Sequence, residues 1–172
     1  MTLTAMIRRM SKIAKRDFFE PYGEVPMMWL IESPEKGQCL IATPVVIPPG
    51  THPGAQKEHM AQCMREFFAD NNVTRYVMAS ECWSPPNRMT GVACDESVNE
   101  WRKTHGSLEH YPGRIELLMF TAEDGHQKLC GMQRIERPER GKPYLSKLEI
   151  EPMGPMSTGR FQNLLSPPAV HH

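Results

Sequence analysis

Neither sign of charge predominates in this chain: 20 Lys and Arg stand against 20 Asp and Glu, a formal net charge of zero. A chain with no overall positive field has no long-range means of holding a polyanion by counterion release, so broad nucleic-acid binding is disfavoured. No run of about 18 apolar residues occurs, and residues 1–20 lack the continuous apolar core of a secretory signal. No membrane span is expected. The five cysteines, at positions 39, 63, 82, 94 and 130, are odd in number and contain no C-x-x-C pair. That usage points to reduced thiols and a cytoplasmic setting rather than a disulfide framework. Also missing are G-x-G-x-x-G, a Walker A loop, H-E-x-x-H and G-x-S-x-G, which removes the common routes to nucleotide, zinc-protease and serine-hydrolase chemistry. No cofactor is expected.

What is present is an apolar fraction of 40% in 172 residues, enough for one core with flanking arms. In residues 2–19, Leu3, Met6, Ile7, Met10, Ile13, Ala14 and Phe18 fall on one helical face, with Arg8, Arg9, Lys12, Lys15 and Arg16 largely opposite. This basic amphipathic helix, assigned to residues 1–22, is expected to dock by its apolar stripe. Its basic face is the one part of the chain suited to nucleic acid or another acidic surface.

Apolar runs at 27–33 and 38–46 around the turn PEKG (34–37) read as a hairpin. Residues 55–70 form a second helix with Met60, Cys63, Met64, Phe67 and Phe68 as its stripe, ended by Asn71-Asn72. Residues 73–83 form a central strand with Val77, Ala79, Glu81 and Trp83 on one face and Tyr76, Met78, Ser80 and Cys82 on the other. A long polar loop, 84–113, carries one short helix near 95–103. Strands at 114–122, 128–136 and 144–151 then make a meander whose first turn holds Asp124-Gly125, the strongest hairpin signal in the chain. The expected fold is α+β: about six strands in a largely antiparallel sheet, with two helices on one face, spanning residues 26–151. A Pro- and Met-rich tail, 152–172, follows, with at most one helical turn near 158–165.

Glu81 poses the chemical question, because a carboxylate near the end of a buried strand needs a partner or a proton. If the strands flanking the long loop pair, Arg114 lies beside Glu81 and supplies that partner, with Glu116 one step further along the same face and Trp83 as a wall. This row of acid, base and acid is read as a structural ion-pair network. The alternative is a metal or acid–base centre in which Glu81 and Glu116 are joined by His110 or His105 from the loop. No metal set has the right spacing. His59 and Cys63 stand one helical turn apart, and His52 would be a third ligand, but Cys63 belongs to the apolar stripe and is expected to be buried.

The segments SECW (80–83), SLEHYPGRIE (107–116) and TAED (121–124) resemble a family of uncharacterised proteins of bacteria, phages and mobile elements with the pattern S-E-x-W, a variable insert, a serine, a proline and R-x-E. The resemblance covers roughly residues 73–151 and maps Ser80, Glu81, Trp83, Ser107, Pro112, Arg114 and Glu116 onto that pattern. It implies a phage-linked intracellular setting and nothing about a reaction. The expected function is non-enzymatic binding of a protein partner; the alternative is a small metal-dependent hydrolase centred on Glu81 and Glu116.

Overall fold

The computed structural model describes residues 1–42, 53–86, 96–106, 108–153 and 161–165. The fold is α+β. Helix α1 (Leu3–Ile13) is capped by the Thr2 hydroxyl, which accepts from Ala5 N–H, and runs without a break into a π-helical stretch, Ala14–Phe19, and a closing turn, α2 (Glu20–Tyr22). Strands β1 (Met28–Ser33) and β2 (Gly37–Ala42) make the expected hairpin. Helix α3 (Pro53–Asp70) leads to β3 (Arg75–Ser84), and α4 (Glu96–His105) lies within the long excursion to β4 (Ile115–Asp124). β5 (Lys128–Glu136), β6 (Tyr144–Leu145) and β7 (Glu149–Pro152) complete the sheet, whose order is β2-β1-β3-β4-β5-β6. β6 and β7 both lie antiparallel against β5, so together they fill the sixth position as one interrupted strand. Every pairing is antiparallel. Among the described residues no helix is long and apolar enough to cross a membrane.

β3 and β4 pair over their whole lengths, from Arg75↔Asp124 to Ser84↔Ile115, despite the excursion that separates them. Each of the inner strands is apolar on both sides, and each side has its own cover. Met28 and Leu30 of β1, Val77 and Ala79 of β3, and Leu118 and Phe120 of β4 pack under Leu3, Met6, Ile7 and Met10 of α1. Trp29, Ile31, Tyr76 and Met78 instead pack with Ala61, Met64 and Phe68 of α3. The two long helices therefore divide between the faces rather than sharing one. A helical stripe shows which side of a helix is buried but not which face of the sheet it meets. Six methionines, Met6, Met10, Met28, Met64, Met78 and Met132, are buried as core filler.

Two stripe assignments shift. Phe19, not Phe18, is the buried ring at the end of the first helix. In the π-helical stretch Glu20 N–H donates to the Lys15 carbonyl, five residues back, and the wider turn carries the inward direction from Ala14 to Phe19 instead of Phe18. In α3 the buried line is Ala61, Met64 and Phe68, while Cys63 and Phe67 face outward. Two apolar ridges, one residue apart, compete for the core there, and the one with small Ala61 allows the closer approach.

Part of the tail, residues 161–165, is docked on the core. Phe161, Leu164 and Leu165 pack on the α3 side of the core, with Leu164 2% exposed, in a turn rather than a helix. The anchor is buried Glu123: its Oε2 accepts from Asn163 N–H at 2.8 Å and lies 2.8 Å from the Tyr76 hydroxyl, which is also 2.9 Å from the Phe161 carbonyl. Burial, reinforced by Glu123, pushes the Tyr76 hydroxyl far up, so it stays protonated.

α1 approaches the sheet closely enough to need a glycine beneath it. A β-carbon on Gly131 would sit 2.8 Å from Ile7 Cγ2 and 3.2 Å from Phe120 Cβ. Gly131→Ala is expected to cost about 1–3 kcal/mol in urea unfolding through overpacking. The loss should shrink in an Ile7→Ala background, measured against that single variant; an equal loss in both backgrounds would place the clash elsewhere.

Candidate functional site

The predicted cluster forms where β3 ends and β4 begins, on the face covered by the first helix. In the register Glu81 pairs with Leu118 and Trp83 with Glu116, so the two acids, the indole and the position of Arg114 share one side of the sheet. The strand ends do lie side by side. The partners, however, are not the expected ones.

Glu116, with 14% of its side chain exposed, receives a two-pronged bond from Arg137: Nε donates to Oε2 and Nη2 to Oε1, both at 2.7 Å. The remaining arm of the same guanidinium, Nη1, donates to the Gly23 carbonyl at 3.0 Å. Gly23 closes the first helix in the left-handed conformation, φ 76°, with its N–H on the Phe19 carbonyl. Two residues on, Val25 N–H donates to Glu81 Oε1 at 2.6 Å. Glu81, Glu116 and Arg137 thus fasten the exit of the helix to the end of the sheet.

Arg114 does not meet Glu81. Its guanidinium lies over the Trp83 ring, 4.6 Å from the centroid, and it forms no ion pair among the described residues. Arg114 is exposed, whereas Glu81 lies deeper, under the helix exit. A loop-end arginine with a flat aromatic neighbour stays hydrated while stacking, which costs less than entering a half-buried carboxylate site.

Burial raises the Glu81 pKa above the usual carboxylate range; the Val25 N–H works against this, Glu116 adds to it, Arg137 opposes it and Glu24 adds to it. Glu116 in turn raises the Arg137 pKa and strengthens its charged form.

Beside this cluster opens a cleft of about 460 Å³, lined by Trp83, Gly113, Arg114, Ile115, Glu116, Arg134, Ile135 and Arg137. It sits where the sheet forks. The β4–β5 ladder stops at Leu117↔Arg134, while β4 continues beside β3 to Ile115 and β5 continues beside β6 to Glu136.

His105 stacks on Trp101, with centroids 4.0 Å apart, and His110 is exposed. Ser107, His52 and Cys94 lie outside the described residues. His59 Nε2 is 3.7 Å from Cys63 Sγ on the outside of α3, so the thiol expected to be buried is exposed. Among the described residues no group of three His, Cys, Asp or Glu is placed to hold a metal.

Arg134 and Arg137 escaped the sequence reading. A signal was there: the Asp124-Gly125 hairpin fixes the register Glu123↔Lys128 and Leu117↔Arg134, and continuing it sets position 137 opposite 114. Comparison with family models, curated proteins and solved structures finds no match to this chain.

Two stability predictions follow from this geometry. Glu81→Ala strands the Val25 N–H and is expected to cost about 1–3 kcal/mol, whereas Arg114→Ala loses only an exposed stacking contact, about 0.5–1 kcal/mol. The double variant should equal their sum to within about 0.5 kcal/mol in chemical unfolding, since the two side chains do not pair; strong non-additivity would mean that they do.

The pH dependence has a definite sign. With the folded-state pKa of Glu81 raised, the folded protein binds the proton more tightly than the unfolded chain does. Glu81 therefore makes stability fall as pH rises from the unfolded carboxylate pKa, about 4.3, up to the raised folded value. Glu81→Gln keeps an oxygen acceptor for Val25 and should remove that fall, leaving the variant at least as stable as the parent at neutral pH.

Proposed function

We propose that this protein is a non-enzymatic binding module whose contact centre is the forked cleft, with Trp83 and Arg114 as its recognition pair. The observation that carries the reading is the division of labour among the charged groups. Both acids that a catalytic or metal centre would use are committed to holding the helix exit: Glu116 through both oxygens to Arg137, Glu81 to Val25 N–H. Arg114 alone in the cluster has a guanidinium without an acidic partner among the described residues, and it lies over an aromatic ring at the mouth of the cleft. Paired arginine and tryptophan at a cleft are the residue types that dominate binding energy at protein interfaces.

The partner in this proposal is a protein. A formal net charge of zero gives no general attraction for nucleic acid, and the basic side of α1 is the one surface suited to it. The setting of a phage or mobile-element accessory protein belongs to the same proposal and is supported only by the pattern of residues 80–83 and 107–116.

The hydrolase alternative requires Glu81 and Glu116 to leave their present partners. It predicts that Mg²⁺, Mn²⁺ or Zn²⁺ raises the thermal midpoint and that Glu81→Gln or Glu116→Gln abolishes the rise; the binding reading predicts no such acid-dependent shift. Directly, a partner retained by the immobilised protein from a cell lysate should be lost with Arg114→Ala and with Trp83→Ala, yet kept by a Lys12→Ala, Lys15→Ala variant of the helix face. Retention by all of them would put the contact elsewhere.

A further inference from the structure

From the charges and the fork in the sheet we infer that the cleft is a carboxylate-recognition site for an acidic peptide segment, with Arg114 donating to the carboxylate over the Trp83 ring. This rests on the binding reading above and adds the chemistry of the ligand.

The sign and size of the charge come first. Three guanidiniums line the cleft, those of Arg114, Arg134 and Arg137. Arg137 is neutralised by Glu116, and Arg134 Nε lies 2.9 Å from Glu136 Oε1. Among the described residues one positive charge of the three is left uncompensated, on Arg114. A single charge on a planar fork matches a carboxylate, which accepts two parallel N–H bonds and brings one negative charge. A phosphate ester brings about −1.5 to −2, and neutralising it here would require drawing Arg134 from Glu136 or Arg137 from Glu116 as well. The contact with the Trp83 ring, 4.6 Å from the centroid, already holds the guanidinium at the mouth, so less side-chain freedom is lost when the ligand binds.

The shape selects a chain rather than a small molecule. Arg114 and Gly113 at the mouth are exposed, and sites for small ligands normally enclose most of the ligand surface. An open cleft leaves a free carboxylate largely in water, whereas a peptide gains contact along the adjoining surface. The fork provides such a surface. Ile115 and Glu116 of β4 face Ile135 of β5 with no ladder between them, because pairing has stopped at Leu117↔Arg134. A peptide lying across the mouth meets the rim of that gap, formed by Gly113, Arg114 and the Arg134 and Arg137 side chains.

The test uses the full chain and a fluorescein-labelled peptide of alternating glutamate and glycine, read by fluorescence anisotropy at low salt. Its glutamine counterpart, free glutarate and inorganic phosphate are the comparisons. The glutamate peptide should bind at least about tenfold more tightly than the glutamine peptide, and Arg114→Ala or Arg114→Gln should erase that preference. Arg114→Lys should restore part of it, since the charge returns without the fork. All three Arg114 variants replace an exposed side chain, and a cooperative thermal transition within a few degrees of the parent's will show that they fold.

Equal binding of the glutamate and glutamine peptides, or a preference that survives Arg114→Ala, overturns the assignment. Glutarate competing as well as the peptide does at equal concentration overturns the peptide in favour of a small dicarboxylate, and stronger competition by phosphate overturns the carboxylate itself. If the peptides bind alike while partner capture still depends on Trp83 and Arg114, the ligand chemistry is wrong and the binding reading stands. If capture is also indifferent to them, both fail.

Discussion

The unbroken ladder between β3 and β4 is the constraint on which the remaining structure depends. It joins two strands separated by the excursion at residues 85–114, and it fixes which side chains meet. Because paired residues share a face, the register sets Val77 and Ala79 with Leu118 and Phe120 under the first helix, and leaves Tyr76 and Met78 for α3. The same register delivers Trp83 beside Glu116 at the far end, with Arg114 just beyond. A slip of one residue would carry the set packed under α1 to the face covered by α3 and separate the indole from the arginine at once. Core and candidate site are thus consequences of one pairing.

At that end a second interaction decides what the polar residues are free to do. Arg137 uses three of its nitrogens, two on Glu116 and one on the Gly23 carbonyl. A guanidinium suits this junction because its planar fork holds a carboxylate while its third arm reaches a backbone oxygen that a helix end leaves without an internal partner. With that work done by Arg137, Arg114 is released to the cleft mouth. The acids closest to the cleft hold structure, and Arg114, without an acidic partner among the described residues, faces outward.

Much of this was legible before the structure. The parity of residues 73–83 and the Asp124-Gly125 hairpin follow from alternation and turn chemistry; the pairing across the long loop is a condition of the site reading, since no local signal sets strand order, and the structure contains all three. The identity of Glu116's partner did not follow, because Arg137 was assigned to a turn and its opposition to residue 114 appears only when the hairpin register is carried past the last ladder pair. The helices were assigned to one face although the central strand was already apolar on both sides; that pattern itself demands cover on both. The Phe18 and Cys63 assignments failed for geometric reasons. Stripe reading assumes a constant turn of 3.6 residues, which the π-helical stretch violates, and it cannot rank two adjacent apolar ridges such as Met60, Cys63 and Phe67 against Ala61, Met64 and Phe68.

The Glu123 anchor has a temporal side. Tyr76 and Glu123 are in place once β3 and β4 pair, but the Asn163 N–H that shares the carboxylate, and the Leu164 side chain that completes the aromatic wall, are the last of these parts to be synthesised. Until that segment is made, the side of the core under α3 has an acid short of one bond and an apolar surface without part of its cover.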